Sequence, residues 1–287
     1  MPKPDPPAVP SKRGISFRQL DWPVVIGIGG VHLGLLAAPF YFTWSGLGIL
    51  LVLTWLTGGV GITLCYHRLL THRSFRSPKW FEYLITVCGS LAWQGSSVQW
   101  VGTHRIHHQH SDDQKDPHSP KEGFAWSHMF WCMHKDPGRR AADAARDLRR
   151  DVFHRVMNRV GWLFQITLAV VLYVLGEWIA GVGVSWVLWG ICARTVAVYH
   201  STWFVNSAAH TWGYRNYDTK DQSANLWWVA LLSFGEGWHN NHHRFPRSAA
   251  HGLRRSEFDL TYWTIRLLAL VGLAKDIVLP EPQDRPA

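Results

Sequence analysis

No Asp, Glu, Lys or Arg occurs between Trp22 and Tyr66. A soluble core helix rarely needs more than about 14 apolar residues in a row, whereas crossing a bilayer takes roughly 20. A second block from Val160 to Val205 is interrupted only by Glu177 and Arg194. Each block has room for two spans joined by a short turn, at about 22–42 with 48–67 and about 160–176 with 184–205. The sequence therefore predicts an all-α, multi-pass integral membrane protein with four transmembrane helices. Residues 1–20, rich in proline and polar side chains, are expected to form a flexible cytosolic tail. Residues 21–279 form one membrane domain, and 280–287 a frayed tail.

The formal net charge is +9, which would also suit a nucleic-acid binder. Yet apart from Arg194 every Lys and Arg lies outside the two apolar blocks. That distribution follows the positive-inside rule, and no nucleic-acid motif accompanies it. The N-terminal tail, the 67–159 region and the C-terminal region should all face the cytoplasm. Trp80 to Val101 is apolar enough to invite a fifth span. A crossing there would separate His72 from His104, so an interfacial or re-entrant helix is expected instead. Phe258 to Val278 reads as another interfacial helix. The four cysteines form no C-x-x-C pair, which disfavours zinc ribbons and iron–sulfur ligation.

The chain has 17 histidines, and three clusters of them carry the chemistry. The first pairs His67 with His72 at the end of the second span. The others are His104, His107 and His108, and His239, His242 and His243. These two share the spacing i, i+3, i+4, which puts three imidazoles on one helix face. His67 and His72 are five apart and diverge on an ideal helix, so they serve different metals or the helix departs from ideal form between them. Imidazole suits iron, zinc, copper or nickel, and a lone zinc takes about four ligands. Eight clustered histidines imply two metals. The paired Glu-x-x-His motifs of soluble di-iron bundles are absent.

These clusters stand in segments that resemble the membrane fatty-acid desaturases, in particular the stearoyl-CoA and cyanobacterial Δ9 group. The matching segments are His67–Phe75, His104–His108 with Asp116-Pro117-His118, Gly123–His128, Asn206–His210 and Gly235–Pro246. The resemblance implies a cytosolic helical cap holding a di-metal site of two iron ions. It adds His210 as a ninth ligand and Asn206 through a water. It implies O2-dependent insertion of a cis double bond, at Δ9, into a long-chain acyl group. The chain has no iron–sulfur cysteine set and no haem domain, so electrons must come from a separate donor, by resemblance ferredoxin or a cytochrome b5-like protein. The expected location is the bacterial inner membrane, with the site facing the cytoplasm.

His118 and His128 lie in family-like segments and are candidates for orienting a ligand or water, as are Asp113, Asp116 and Glu236. His110, His134, His154 and His251 are expected to be solvated. His32 and His200 lie within spans and should bond to neighbours, and Arg194 needs a partner or polar cavity. On the second span Leu56, Gly59, Val60 and Thr63 are candidates for an acyl tunnel, with close helix packing as the competing role for the glycines. Two further activities fit the clusters: a histidine-rich di-iron hydroxylase, and a zinc-loaded membrane hydrolase or metal transporter. The acyl carrier stays open between CoA, carrier protein and glycerolipid. The basic run Arg139, Arg140, Arg146, Arg149, Arg150, Arg155 and Arg159 suits CoA phosphates or anionic headgroups equally.

Overall fold

A computed structural model describes residues 17–135 and 137–286, the side chains of 137–140 excepted. The expected tail lies largely outside the described residues. Its last part, Phe17–Gln19, is a short helical turn, and Leu20 bridges to His134. Among the described residues the structure is helical with a few isolated bridges and no strand.

Three helices are long and apolar enough to cross a membrane: Trp22–Tyr41, Trp44–Thr71 and Val152–Ala180. The first comprises α1, Trp22–Ala37, and a tighter turn over Ala38–Tyr41. The second begins as α2, Trp44–Thr54, capped by the Thr43 hydroxyl on the Gly46 N–H. It continues over Trp55–Thr71 in a wider form whose bonds reach five residues back. The expected 48–67 span is thus extended at both ends, and the expected 160–176 span is extended to include Arg155 and Arg159.

The expected fourth span is helical but less apolar. It runs over 183–210 as one continuous stretch that widens at Leu188–Ala193. Arg194 is fully buried in it. Its guanidinium donates to the carbonyls of Gly190 and Leu91 and to Gln165 Oε1. Burial of that charge is tolerated because neutral acceptors surround it.

The remaining helices are shorter. They are α3 (Lys79–Leu91), α4 (Ser97–His110), α5 (Phe124–His128), α6 (Pro137–Ala144) and α7 (Arg146–Arg150). The third span, Val152–Ala180, is α8. Within the 183–210 stretch, α9 is Gly183–Val187 and α10 is Arg194–Ser207. Three short helices follow: α11 (Trp227–Leu232), α12 (His239–Arg244) and α13 (Leu260–Leu270). The apolar stretch at 80–101 is thus two helices, separated where Trp93 and Gly95 take positive φ. With 13 residues, α3 is too short to span. The 11-residue α13 lies within the segment expected as an interfacial helix.

Two glycines fix the packing of α3 and α4. A Cβ on Gly61 would sit 2.5 Å from Gly89 N, so α3 lies directly against the second span. A Cβ on Gly102 would strike the Ala141 carbonyl, so α6 crosses α4 at backbone contact. The chain's end, expected to fray, makes a turn over Pro282–Asp284 that accepts a bond from Tyr217 at the Asp284 carbonyl, 2.8 Å away.

Candidate metal centre

The widened helix answers the five-residue spacing of His67 and His72. In α form, residues five apart point about 140° apart. Bonds reaching five residues back reduce that angle. The register is visible where the His72 N–H donates to the His67 carbonyl at 3.1 Å and the Thr71 hydroxyl to the Tyr66 carbonyl at 2.7 Å. Both imidazoles then face one point.

Two groups of imidazoles result, each with its ligand atoms within 4.8 Å of one another: His67, His72, His104, His108 and His242, and His107, His210, His239 and His243. All nine predicted histidines are in them. Asn206 lines the adjoining cavities beside His104.

The local sequence explains how short segments hold these rings. α4 starts with a capping box, in which Ser96 Oγ accepts from Gln99 N and Gln99 Oε1 accepts from Ser96 N. Arg105, between the first two histidines of its cluster, donates to both oxygens of Asp147 at 2.7 and 3.0 Å. The six-residue α12 is too short to be stable alone. The two asparagines inside its H-N-N-H-H sequence tether it. Asn240 Oδ1 accepts from the backbone N–H of Asn216 and Tyr217, and Asn241 donates to Glu257 and to the His251 carbonyl. His210 ends the 3₁₀ turn Ala208–His210 that follows α10.

Carboxylates stand behind four of the rings. Glu236 Oε2 lies 2.6 Å from His67 Nδ1, Asp116 Oδ2 2.9 Å from His107 Nδ1, Asp112 Oδ1 3.1 Å from His210 Nδ1 and Asp221 Oδ2 2.8 Å from His243 Nδ1. Burial would push the Glu236 carboxyl up, but the Arg68 guanidinium, His251 and His67 hold it well below the usual carboxylate range. Against burial, the His107 and His118 rings do the same for Asp116, and the His243 ring for Asp221. Asp116 and Asp221 accept the Nδ1 protons of His107 and His243, whereas Glu236 Oε2 and Asp112 Oδ1 face their rings as ion-pair partners without hydrogen-bond geometry.

That proton placement tests whether a metal fits. A neutral imidazole carries one N–H. With Nδ1–H committed to Asp116 and Asp221, His107 Nε2 and His243 Nε2 face each other as lone pairs 3.4 Å apart. In the other group His242 Nε2 sits 3.2 Å from His67 Nε2 and 2.9 Å from His108 Nε2. His72 Nε2 is buried with no hydrogen-bond partner. Nitrogens bound at about 2.1 Å to one tetrahedral ion lie about 3.4 Å apart. The contacts between rings, from 2.9 to 3.4 Å, match a cation in each group, and between His107 and His243 no proton is left to bridge them.

The other candidates divide. His118 packs against His107 with the rings tilted by 34° and centroids 4.4 Å apart, and burial pushes its imidazole down to about 3. It is a neutral neighbour of the second group. His128 bonds to Ser207 and His200 rather than to any of the nine, and His200 bonds onward to His32. Asp113 is exposed and faces His110. Three histidines expected to be solvated are buried: His134, His154 and His251. His251 Nδ1 lies 3.0 Å from Glu236 Oε2, and its ring packs on His242. His154 bonds to Ser97 and faces Glu82.

Sequence reasoning missed Asp112 and Asp221. Each stands in a polar loop with no spacing relation to the ring that it supports. Replacing Asp221 by Asn should lower metal affinity about 10–100-fold with little loss of folding, since supports of this kind carry that much. Chelator competition at fixed pH measures it.

A cavity of 280 Å³ runs from Asp21 and Lys135 at its rim to His104, His118 and Asn206. A narrow one of 40 Å³ continues beyond, lined by Gly58, Ile62, Thr63, Val205 and Phe234. Trp100, His104, Thr202 and Asn206 line both. At the divide Trp100 Nε1 donates to Gln94 Oε1 and Gln94 Nε2 to Thr202 Oγ1, at 3.1 and 2.9 Å. Of the four tunnel candidates Thr63 lines the narrow cavity. Gly59, Val60 and Leu56 do not, because the wider helix turns Gly58 and Ile62 to that side.

The comparisons agree with this chemistry. The family described as fatty acid desaturase matches residues 39–268. The sn-1 stearoyl-lipid 9-desaturase of Anabaena variabilis is 48% identical over 268 residues, covering 92% of this chain and 96% of the relative. The sn-2 palmitoyl-lipid 9-desaturase of Nostoc sp. is 47% identical over 281 residues, covering 96% of each chain. The sn-1 stearoyl-lipid 9-desaturase of Synechocystis sp. is 48% identical over 264 residues, covering 90% of this chain and 80% of the relative. With a match over most of its length and histidine groups of this kind, the chain belongs to the fatty acid desaturase family.

Proposed function

We propose that this oxidoreductase introduces a cis double bond at Δ9 into a long-chain acyl group esterified to a membrane glycerolipid. The observation that carries the reading is the pair of buried imidazole groups beside an acyl-sized passage. Two iron ions would be held there, one by His67, His72, His104, His108 and His242, the other by His107, His210, His239 and His243, with Asn206 contributing through a water. When bound, they supply the O2 chemistry that removes unactivated hydrogens, which no acid or base can do. Overall, O2 becomes two waters by taking two hydrogens from the chain, two electrons from a separate donor such as ferredoxin or a cytochrome b5-like protein, and two protons.

The protein's own residues position the substrate. The large cavity receives the carboxyl half of the chain and the narrow one its methyl end. The Gln94–Thr202 bond and the Trp100 ring fix the bend between them beside His104, which favours a cis product. Glu236, Asp116, Asp112 and Asp221 keep the Nε2 lone pairs aimed at the metals. We read the 183–210 stretch as the fourth span, which makes two hairpins with the site on the cytoplasmic side of a bacterial inner membrane. Expression in a host lacking desaturase, with double-bond positions read from its lipids, tests the function. Δ9 monounsaturated chains in intact lipids support it, and hydroxylated or unchanged chains refute it.

The narrow cavity also makes a chain-length prediction. Gly58→Leu should shift the ratio of sixteen- to eighteen-carbon products by roughly tenfold toward the shorter chain, as a few methylenes of lost space imply. Gly59→Leu should leave the ratio near wild type. Gas chromatography of the products, alongside metal content, checks both.

A further inference from the structure

A third cavity, of 340 Å³, adjoins the 280 Å³ one and shares Val24, Trp93 and Gln99 with it. Its outer wall is Pro23 and Gly27 on α1 and Asn158, Gly161 and Trp162 on α8. These helices pack elsewhere, α1 on α10 and the 188–193 turn, and α8 on α3, α4 and α9. The cavity occupies the gap between them, and Pro23, Asn158 and Trp162 are exposed along it.

The gap lies toward the N-terminal ends of both helices. Gly27 is about 8 Å and Gly161 about 14 Å into their helices at 1.5 Å per residue. Exposed Trp22 and Trp162 flank it, as aromatic side chains do at a membrane interface. Exposed Arg155 and Arg159 stand on α8 at its outer end. Inside, Ser96 Oγ donates to Asn158 Oδ1, which leaves the Asn158 amide nitrogen for an ester carbonyl.

We propose that this gap is a lateral portal, through which an ester-linked acyl chain slides from the bilayer to the metal centre while its headgroup stays at the interface. The proposal rests on the glycerolipid reading above. Ser96 and His104 are eight residues apart on one helix, about 12 Å, which is the reach of about nine extended carbon–carbon bonds. An ester beside Ser96 and Asn158 therefore places the ninth and tenth carbons beside His104. The rim of the large cavity, by contrast, sets Asp21 against Lys135, a poor seat for the several phosphates of CoA.

The portal can be filled without disturbing its walls. A Cβ on Gly27 would meet Trp93 at 3.4 Å and one on Gly161 would meet Ser90 at 3.7 Å, both ordinary contacts. The test uses iron-loaded protein in phosphatidylglycerol vesicles carrying stearoyl chains, with dithionite-reduced ferredoxin, and stearoyl-CoA in a parallel assay. Gly27→Phe and Gly161→Phe should each lower turnover of the vesicle lipid roughly tenfold or more, with iron content and melting temperature near wild type. Val170→Phe, on the exposed face of α8, should not. Wild-type turnover of the vesicle lipid in both glycine variants would overturn the portal alone. Wild-type protein that converts stearoyl-CoA but no vesicle lipid would overturn the glycerolipid reading, and the portal with it.

Discussion

Replacing His107 or His242 by Ala yields a protein that inserts in the membrane, binds less metal and makes no detectable unsaturated product. The two residues belong to different imidazole groups, so each variant damages one metal position and leaves the other group complete. Loss of a carboxylate behind a ligand costs about 10–100-fold, so loss of the ligand itself should leave less than about 1% of wild-type activity. His128→Ala is the contrast, because its ring bonds to Ser207 and His200 and touches neither group. Iron per chain and product yield, measured on the same preparations, check this. Wild-type activity in either ligand variant would remove that residue from the metal site.

Arg68→Met is expected to be the most destabilising single substitution near the site. The Arg68 side chain is fully buried. It donates to Glu236 Oε1 at 3.0 and 3.1 Å, to Asp259 Oδ2 at 2.9 Å and to the Ala249 carbonyl at 2.6 Å. Removing the cation leaves two buried carboxylates without it, and breaking a buried pair in this way costs about 3–5 kcal/mol. A melting temperature lower by on the order of 10 °C should result. Glu236 also lies against His67 and His251, so metal affinity should fall with stability. A melting curve in detergent, with and without bound iron, reads both effects.

Much of the site was legible because its signals are local. The i, i+3, i+4 spacings of His104–His108 and His239–His243 survive in α4 and α12, since each cluster needs only one helix turn to aim its rings. His210 and Asn206 came from resemblance, and the structure sets both beside the clusters. The tunnel face was misassigned because α periodicity was applied to a helix that widens over Trp55–Thr71. Tertiary packing at Gly61 and the convergence of His67 with His72 accompany that register, and neither shows in local propensity. The buried His134, His154 and His251 were misread for a related reason: their partners are Phe130, Ser97 and Glu236, two of them distant in sequence. Asp112 and Asp221 are likewise tied to the site only through space. The 183–210 helical stretch was visible as a gap in charge, but its Arg194, His200 and Thr202 serve the interior and lower its hydropathy.

The most direct test of the central claim is the metal content of active protein purified without oxygen from iron-replete cells. Two imidazole groups, each with its ring nitrogens within 4.8 Å of one another, predict about two iron atoms per chain, with activity rising in proportion to iron. Full activity with a single metal per chain, or with zinc in place of iron, would contradict the account.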